Sequence, residues 1–335
     1  MDPRCAVEAL VAMSFWQDRV AFVTGGTGLL GSWVVNELQT RGAQVVVLVR
    51  DDVRRSLMWR VADLDRLTII HGAFEEDGLV ARVLNEYEVE TVFHLGAQTI
   101  VQTANRSPLS TFESNIKGTW QVLEAARVTS GIGAVLVASS DKAYGSHDVL
   151  PYSESAPLQG RHPYDVSKSC TDLISFSYYE TYGTPICVTR CGNLYGPGDL
   201  NYNRLIPGTI RSLERDEPII IRSDGTAIRD YLFVKDAAFA YIDLAEEMIT
   251  NDLAGEAFNF SNELQLSVLD VVNKLIELMN VNTEPQIMDT ARGEIKFQYL
   301  SAAKAREMLN WKPSFDFDQG LRETIAWYRS ELARA

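Results

Sequence analysis

A tyrosine and a lysine separated by three residues form the strongest chemical signal in the chain. Tyr164 and Lys168 lie four positions apart, so on a helix they occupy one face. A lysine ammonium beside a phenol favours the phenolate, and the lowered pKa makes the tyrosine usable as a base near neutral pH. Upstream, Ser140-Asp141-Lys142 ends a predicted strand, where reactive groups of α/β proteins gather. The alternative interpretation of Asp141 and Lys142 is a solvated turn pair.

A glycine-rich segment lies between the first predicted strand and the first predicted helix. Gly25, Gly28 and Gly31 satisfy G-x-x-G-x-x-G, and Gly26 adds the G-x-G-x-x-G spacing. Glycines allow a tight turn and a close approach of the backbone to a pyrophosphate, which the helix N-terminus stabilises. An isolated glycine pattern is often an ordinary turn, but the flanking strand and helix here predict a dinucleotide site.

The end of the second predicted strand bears on the choice between NAD and NADP. An acidic residue there typically binds the ribose hydroxyls of NAD, whereas an arginine accommodates the 2′-phosphate of NADP. The chain has Arg50 at this place, followed by Asp51 and Asp52. Arg50 favours NADP. The alternatives are that one of the aspartates reaches the ribose and that Arg50 is a surface residue.

Short apolar runs that alternate with helical stretches supply the elements that must position these residues. Runs without polar alternation are typical of parallel strands covered on both faces, and their alternation with helices predicts a doubly wound Rossmann-type sheet with right-handed crossovers. The predicted strands span 19–24, 44–49, 67–71, 91–95 and 134–139, and the first predicted helix spans 31–40.

The character of the chain changes after Tyr195, where a turn cluster, Gly196-Pro197-Gly198-Asp199, begins a segment rich in proline and glycine. Helices are predicted there at 268–279, 302–309 and 319–329. We expect a leader at 1–18, a Rossmann domain at 19–195 to which 230–260 returns, and a smaller irregular substrate lobe at 196–229 and 261–335.

Composition and charge limit the classes of partner that we expect the protein to bind. A net charge of -14 over 335 residues, without a basic stripe, argues against binding of nucleic acid or an anionic membrane. No apolar run reaches the roughly 20 residues of a membrane span. Glu8 interrupts the apolar stretch of the leader and no basic region precedes it, so a secretory signal is not expected. Four cysteines fit a reducing cytoplasm, and neither they nor the four histidines show metal-ligand spacing.

Together these segments resemble the extended short-chain dehydrogenase/reductases that modify nucleotide sugars, which include 4-epimerases, decarboxylases and 4,6-dehydratases. The resemblance covers nearly the whole chain from Arg19 onward. It also rests on motifs at 94–98, 115–119, 162–170, 190–197 and 229–236. One departure is Gly72-Ala73-Phe74, where the family commonly has Gly-Asp and the aspartate binds adenine. Adenine must therefore be held differently in this chain.

The residues after Ser140 separate the subfamilies. Epimerases of this family carry small or hydroxyl residues there, whereas 4,6-dehydratases carry an acid and a second proton-transfer group. Asp141 and Lys142, together with residues 199–204, make the chain most similar to the CDP-glucose 4,6-dehydratases. The resemblance therefore implies conversion of an NDP-hexose to an NDP-4-keto-6-deoxyhexose.

The resemblance also implies a role for each catalytic candidate. Tyr164 takes the proton of the sugar 4-hydroxyl, which Ser140 holds, while C4 gives its hydride to the nicotinamide. Lys142, if neutral, then takes the C5 proton, and Asp141, if protonated, donates to the departing C6 hydroxyl. The hydride returns at C6, so the cofactor is regenerated within one turnover. The implied catalytic residues are Ser140, Asp141, Lys142, Tyr164 and Lys168.

The resemblance further implies a tightly bound NAD or NADP, a nucleotide-sugar substrate and a homodimer. The implied cofactor-binding residues are Gly25, Thr27, Gly28, Leu29, Leu30, Arg50, Phe74, Leu95, Ala97, Tyr164 and Lys168. The implied substrate-binding residues are Gln98, Ser140, Asn193, Asn203, Arg204, Arg229 and Arg292. An arginine fork suits a diphosphate. The apolar helices near 109–128 and 164–182 resemble the pair that forms a four-helix dimer contact in this family.

Two other functions stay open at this point. One is a 4-epimerase or another ketose-forming enzyme, in which Asp141 and Lys142 are incidental. The other is a non-catalytic Rossmann protein that senses the cofactor. The intact set of Ser140, Tyr164 and Lys168 argues against the second alternative.

Overall fold

The computed structural model describes residues 15–290 and 295–334, which form two compact units. The first unit comprises the described residues up to Gly145, together with Pro157–Arg190 and Ala238–Phe258. The second comprises Ser146–Ala156, Cys191–Ala237 and the described residues from Asn259 onward. The chain therefore changes unit after Arg190 rather than after Tyr195, and it returns at Ala238 rather than at Asp230.

The described residues contain fourteen strands. They are β1 (Val20–Thr24), β2 (Gln44–Val49), β3 (Leu67–His71), β4 (Thr91–His94), β5 (Ala134–Ala138), β6 (Ile186–Cys191), β7 (Asn193–Tyr195), β8 (Ile220–Ile221), β9 (Ile228–Arg229), β10 (Tyr231–Phe233), β11 (Ala257–Phe260), β12 (Leu266–Ser267), β13 (Gln286–Ile287) and β14 (Phe297–Gln298). The five strands predicted from the sequence are all present, with ends that differ by at most one residue.

Twelve α-helices lie in the described part of the chain. They are α1 (Leu29–Thr40), α2 (Met58–Val61), α3 (Leu79–Glu86), α4 (Val101–Arg106), α5 (Pro108–Phe112), α6 (Gly118–Val128), α7 (Pro163–Tyr182), α8 (Leu205–Glu214), α9 (Val234–Asn251), α10 (Val268–Met279), α11 (Ala303–Leu309) and α12 (Phe317–Leu332). A π-helical turn, Glu113–Lys117, separates α5 from α6, and Leu64–Arg66 and Asp141–Tyr144 form 3₁₀ turns.

Seven strands form one sheet in the order β11-β6-β5-β4-β1-β2-β3. Neighbours from β3 through to β6 pair in parallel. The order 3-2-1-4-5-6 is that of the doubly wound dinucleotide-binding fold, and it reverses direction between β1 and β4. The predicted fold class is confirmed. Ligands of such sheets bind at this reversal, outside the carboxyl ends of the strands.

The core of the first unit explains the unbroken apolar runs. Phe22 of β1 and Val92 of β4 are fully buried and share a cluster with Val83 of α3 and Val122 of α6. Trp16, from the end of the predicted leader, is also fully buried, and its indole N–H donates to Glu246 at 2.6 Å. Residues 1–14 of the leader lie outside the described residues.

The second unit has a core of its own. Tyr195 of β7 and Phe233 of β10 are buried with Leu275 of α10 and Leu321 of α12. β7 and β10 pair in parallel with each other, not with the seven-stranded sheet. This pairing explains why residues 191–195 and 230–237, which were predicted to belong to the Rossmann domain, fall in the second unit. Capping boxes at Ser267 and Asp316 begin α10 and α12.

Candidate active site

The glycine-rich segment forms a tight loop between β1 and the N-terminus of α1. Gly25 has a φ of +72°, and a Cβ there would approach the backbone nitrogen of Gly96 to 2.7 Å. A Cβ at Gly31 would lie 2.1 Å from the carbonyl oxygen of Gly25. Only glycine fits both positions, since one has left-handed backbone and both have backbone atoms in contact. The loop therefore presents its backbone at the reversal of the sheet, as a pyrophosphate site requires.

Phe74, predicted among the cofactor contacts, lies in the core. Its side chain is 7% exposed and its ring meets that of His94 edge-on at 5.2 Å between centroids. A Cβ atom added at Gly96 or at Gly118 would overlap the ring of Phe74, so a larger side chain does not fit beside the ring at either position. The ring of Phe74 therefore packs within the core, and its contact with the cofactor stays a prediction.

His94 links the end of β4 to the segment before α6 through a chain of hydrogen bonds. Its Nδ1 lies 2.9 Å from the hydroxyl of Thr24, and its Nε2 lies 3.2 Å from the hydroxyl of Thr119. The hydroxyl of Thr119 donates to the carbonyl of Asn115. Because the hydroxyl proton of Thr119 is used in this way, its oxygen accepts a hydrogen bond from the Nε2–H of His94, and Nδ1 then accepts a hydrogen bond from Thr24. Burial, aided by the charge of Lys168, lowers the pKa of His94 to about 3.

Asn115 lies on the π-helical turn and extends this series of hydrogen bonds to α7, the helix that contains Tyr164 and Lys168. Its amide nitrogen donates to the carbonyl of Gln98 at 3.0 Å and to the hydroxyl of Ser167 at 2.9 Å. Ser167 in turn donates to the carbonyl of Tyr164 at 2.7 Å. A continuous helix was predicted over 109–128. The π turn interrupts it and lets Asn115 face the site, a use for which such turns are known.

Ser140, Asp141 and Lys142 form a closed group at the carboxyl end of β5. The Ser140 hydroxyl caps the 3₁₀ turn by accepting from the backbone N–H of Lys142, and it donates to Asp141 at 3.0 Å. The Lys142 ammonium pairs with the other carboxylate oxygen of Asp141 at 3.2 Å. Asp141 is 3% exposed and Lys142 19%. The pair is therefore largely desolvated and not a solvated turn.

α7 brings Tyr164 and Lys168 to the same edge of the sheet. Tyr164 is 8% exposed, and the Lys168 ammonium donates to the carbonyl of Ala138, the last residue of β5, at 2.7 Å. Burial lowers the pKa of Lys168 to about 8, and the charge of Asp172 opposes this change. The turn and the helix are also joined directly, because the Ser169 hydroxyl donates to the carbonyl of Ala143 at 2.8 Å.

A buried ion pair that we did not predict from the sequence lies beneath this group. Asp172 is 0% exposed, and one of its oxygens pairs with Arg190 at 2.6 Å. Its other oxygen accepts from the hydroxyl of Ser139. Arg190 also donates to the Tyr144 hydroxyl at 2.8 Å. The sequence held a signal for Asp172, which follows Lys168 by one helical turn on the face that carries Tyr164.

The predicted substrate contacts fall into two groups. Gln98 belongs to the first unit, and its amide nitrogen bonds to Thr111 and to the carbonyl of Ile100, each at 3.1 Å. Ser140, described above, also belongs to the first unit, whereas Asn193, Asn203, Arg204 and Arg229 belong to the second. Arg204 pairs with Asp199 at 3.0 Å, and Arg229 bonds to the carbonyl of Ile228 at 2.8 Å. Asn193 lies on β7, Asn203 is exposed, and Arg292 lies outside the described residues.

Residues 15–290 and 295–334 contain no group of three or more histidine, cysteine, aspartate or glutamate residues arranged to hold a metal ion. None of their helices combines the length and apolar character needed to cross a membrane.

The sheet order, the glycine loop and the group formed by Ser140, Tyr164 and Lys168 define an extended short-chain dehydrogenase/reductase. A family model described as GDP-mannose 4,6 dehydratase matches residues 22–324, and the chain belongs to this family. The predicted resemblance is therefore confirmed.

Individual proteins extend the likeness. A CDP-glucose 4,6-dehydratase from Salmonella typhimurium is 29% identical over 96% of this chain and 93% of that protein. A dTDP-glucose 4,6-dehydratase from Streptomyces venezuelae, solved with NAD bound, has a TM-score of 0.85 and 28% identity, covering 94% of this chain and 98% of that one. A UDP-glucose 4-epimerase from Thermotoga maritima has a TM-score of 0.86 and 26% identity, covering 93% and 99%.

Proposed function

We propose that this protein is a nucleotide-sugar 4,6-dehydratase that converts an NDP-hexose, such as CDP-glucose, to the NDP-4-keto-6-deoxyhexose. The observation that carries the proposal is the desolvated pair of Asp141 and Lys142, bonded to Ser140 and held beside the helix of Tyr164 and Lys168. A 4-epimerase needs only Ser140, Tyr164 and Lys168. A buried acid and base beside them supply the extra proton transfers of an elimination.

The dinucleotide would be held by the Gly25–Gly31 loop, the N-terminus of α1 and Lys168, and when bound it accepts a hydride from C4 and returns it at C6. Tyr164 takes the proton of the 4-hydroxyl, and the Lys168 ammonium favours the phenolate electrostatically. Ser140 holds the same hydroxyl. The resulting 4-ketone acidifies the C5 proton.

Asp141 and Lys142 then act as one acid–base pair. With the pair ionised, the exchangeable proton is on Lys142. Its transfer across the 3.2 Å contact to Asp141 produces a neutral amine and a neutral carboxyl together. The amine takes the C5 proton, and the carboxyl protonates the departing C6 hydroxyl. The two forms that the elimination requires therefore arise from one proton transfer inside the pair.

The proposal is tested by incubating the purified protein with a panel of sugar nucleotides and measuring the molecular masses of the products by mass spectrometry. Loss of one water supports a dehydratase, an isobaric product supports the 4-epimerase alternative, and no conversion supports a cofactor-binding protein. Among these functions the 4-epimerase is the second candidate, because the Thermotoga maritima epimerase shares the fold over nearly the whole chain. The same panel identifies the base and the sugar.

Lys142→Met separates the two enzymatic functions, because it keeps a similar side-chain stem and removes the amine. Oxidation at C4 should persist, so reduced nicotinamide accumulates on addition of substrate, while incorporation of solvent deuterium at C5 stops. Lys312→Met, at an exposed lysine of the second unit, is the matched control and should behave as the wild type. An undiminished rate of water loss by the Lys142→Met protein would remove lysine as the base.

Three finer features belong to this proposal. The nucleotide-sugar contacts from Asn193, Asn203, Arg204, Arg229 and Arg292 stay predictions, as do tight retention of the dinucleotide and a cytoplasmic location. Each predicted contact is tested by replacing its side chain and measuring, by equilibrium dialysis, how tightly the variant binds the identified reaction product. No turnover is needed for this measurement. Loss of a guanidinium bonded to the diphosphate should weaken binding about tenfold or more.

A homodimer also belongs to the proposal. Leu109 of α5, Val128 of α6, and Leu173 and Tyr182 of α7 are 54–69% exposed, which is unusual for large apolar side chains on neighbouring helices. A second copy would cover them through a four-helix contact. Sedimentation of the wild type and of Leu173→Asp tests this assembly, since a charge at the contact should release monomers.

The NADP preference expected from Arg50 stays a prediction, and two contacts oppose it. The Arg50 guanidinium pairs with Asp51 at 2.7 Å and lies 3.7 Å from Glu75. Both carboxylates compete with a 2′-phosphate for the same cation and repel it.

A further inference from the structure

A carboxylate from the loop after β3 meets the arginine that follows β2, near the position where the dinucleotide fold expects an acid. β2 and β3 pair in parallel, with Val49 opposite His71, so the segments after them leave the sheet at the same edge. Arg50 follows β2 directly, and Glu75 lies four residues after the end of β3. The contact between Arg50 Nη1 and Glu75 Oε1, at 3.7 Å, shows that the two side chains meet.

One oxygen of Glu75 is arranged as though a donor should reach it. Oε2 is buried and has no hydrogen-bond partner among the described residues, although the side chain as a whole is 18% exposed. The adjacent Glu76 differs, because its carboxylate accepts from the backbone N–H of Ala73 at 2.9 Å. A buried carboxylate oxygen without a donor is costly in a native protein. The terminal torsion of a glutamate is soft, so the carboxylate can rotate to accept from a ligand donor, which removes the cost.

The adenosine ribose supplies such donors. In dinucleotide-binding folds an acid near the end of β2 accepts from the ribose hydroxyls of NAD, whereas an arginine there accommodates the 2′-phosphate of NADP. This chain has the arginine at β2, but Glu75 brings a carboxylate against it from the loop after β3. The Glu75 carboxylate can accept a hydrogen bond from a ribose hydroxyl, and its negative charge repels a 2′-phosphate.

We propose that Glu75 accepts a hydrogen bond from the adenosine ribose of the bound dinucleotide, that Arg50 orients Glu75 rather than binding a 2′-phosphate, and that the protein consequently selects NAD over NADP. This inference rests on the proposed function only in requiring a nicotinamide dinucleotide. It replaces the preference for NADP that Arg50 alone indicates.

Equilibrium binding to nucleotide-stripped protein, measured calorimetrically, tests the proposal without any sugar nucleotide. The wild type should bind NAD at least about tenfold more tightly than NADP, because a charge-assisted hydrogen bond is lost and a repulsion gained with NADP. Glu75→Gln should weaken NAD about tenfold and leave NADP unchanged or tighter, since Arg50 is then released. A protein that binds NAD in this way and yet dehydrates nothing would overturn the proposed function and leave the role of Glu75 intact.

Glu76→Gln is the matched control, because it changes the neighbouring exposed carboxylate, whose hydrogen bond from the backbone N–H of Ala73 an amide oxygen can also accept. Its ratio of NAD to NADP affinity should stay within about twofold of the wild type. An unchanged NAD affinity in Glu75→Gln, with native unfolding behaviour, would overturn the proposal, as would a wild type that prefers NADP.

Nicotinamide hypoxanthine dinucleotide, which lacks the adenine amine, distinguishes the two donors that adenosine offers. If Glu75→Gln weakens this analogue as much as it weakens NAD, the donor is the ribose. If the variant weakens NAD alone, the adenine amine is the donor and the ribose assignment is wrong.

Discussion

Two arginine–carboxylate pairs in the first unit have opposite character. Arg190 and Asp172 are 2% and 0% exposed, and both oxygens of Asp172 have partners within the protein. Arg50 and Glu75 are 54% and 18% exposed, meet at 3.7 Å, and leave a buried oxygen of Glu75 without a partner among the residues that the structure describes. The first pair is complete in the free protein, whereas the second is incomplete.

The difference shows how the same two chemical groups can serve structure or recognition. A buried pair offsets its desolvation only if its remaining hydrogen-bond sites are filled, and Ser139 and Tyr144 fill them beneath the catalytic turn. An exposed pair gains little stability, so its groups can bind a ligand at little cost to the fold. Satisfaction of the hydrogen bonds, more than the presence of an ion pair, thus distinguishes scaffold from site.

The largest effect should come from breaking the complete pair. Asp172→Asn leaves the Arg190 guanidinium buried without a counter-charge, and we expect a loss of about 3–5 kcal/mol in the free energy of unfolding. Chemical denaturation measures it. The double variant with Arg190→Met should cost less than the sum of the two single changes, because it removes both charges. A loss below about 1 kcal/mol for Asp172→Asn would show that this pair resembles an exposed one.

The pH dependence of stability tests whether His94, another buried and fully hydrogen-bonded group of the first unit, is held neutral. Its pKa in the folded protein is about 3, so it stays neutral there, while the unfolded chain takes up a proton below its ordinary pKa of 6.5. Stability is therefore lost as the pH falls below about 6.5.

We expect the wild type to lose about 2 kcal/mol more than His94→Gln between pH 7 and pH 5, a window above the usual titration of carboxylates. Denaturant unfolding of both proteins at the two pH values measures the difference. Parallel losses in the two proteins would mean that His94 is not held neutral.

A milder change tests whether the buried pair positions the catalytic turn. Tyr144→Phe keeps the ring beneath the Arg190 guanidinium and removes one hydrogen bond, which should cost about 1 kcal/mol of stability. Since Tyr144 ends the turn that carries Asp141 and Lys142, elimination should slow more than oxidation. Reduced nicotinamide would then accumulate under steady turnover. Equal slowing of both steps would limit the role of Tyr144 to stability.

The smallest effect should come from Glu75. In protein without dinucleotide, Glu75→Gln should change the free energy of unfolding by less than about 1 kcal/mol, because Arg50 is more than half exposed and screened by solvent. Denaturant unfolding with and without NAD separates this small term from the ligand's contribution. A loss comparable to that of Asp172→Asn would place Glu75 in the scaffold and end the contrast between the two pairs.

Local patterns were sufficient for much of the fold. The valine-rich run of β2 and the helix α10 have the bounds predicted from the sequence, because each is a short element with its own periodicity and end signals. The division between the units was predicted less accurately. The segments 191–195 and 230–237 look like parts of the first sheet, and only their pairing with each other assigns them to the second unit.

By itself the sequence determined the elements, the glycine loop and the residue types that do the chemistry, because these depend on neighbours along the chain. Only the tertiary structure decided which groups meet. It buried Phe74 in the core, joined Asp172 to Arg190, and brought Glu75, from the loop after β3, against Arg50, which follows β2. Contacts between distant segments depend on sheet register and on desolvation, and neither is encoded in the spacing of a single motif.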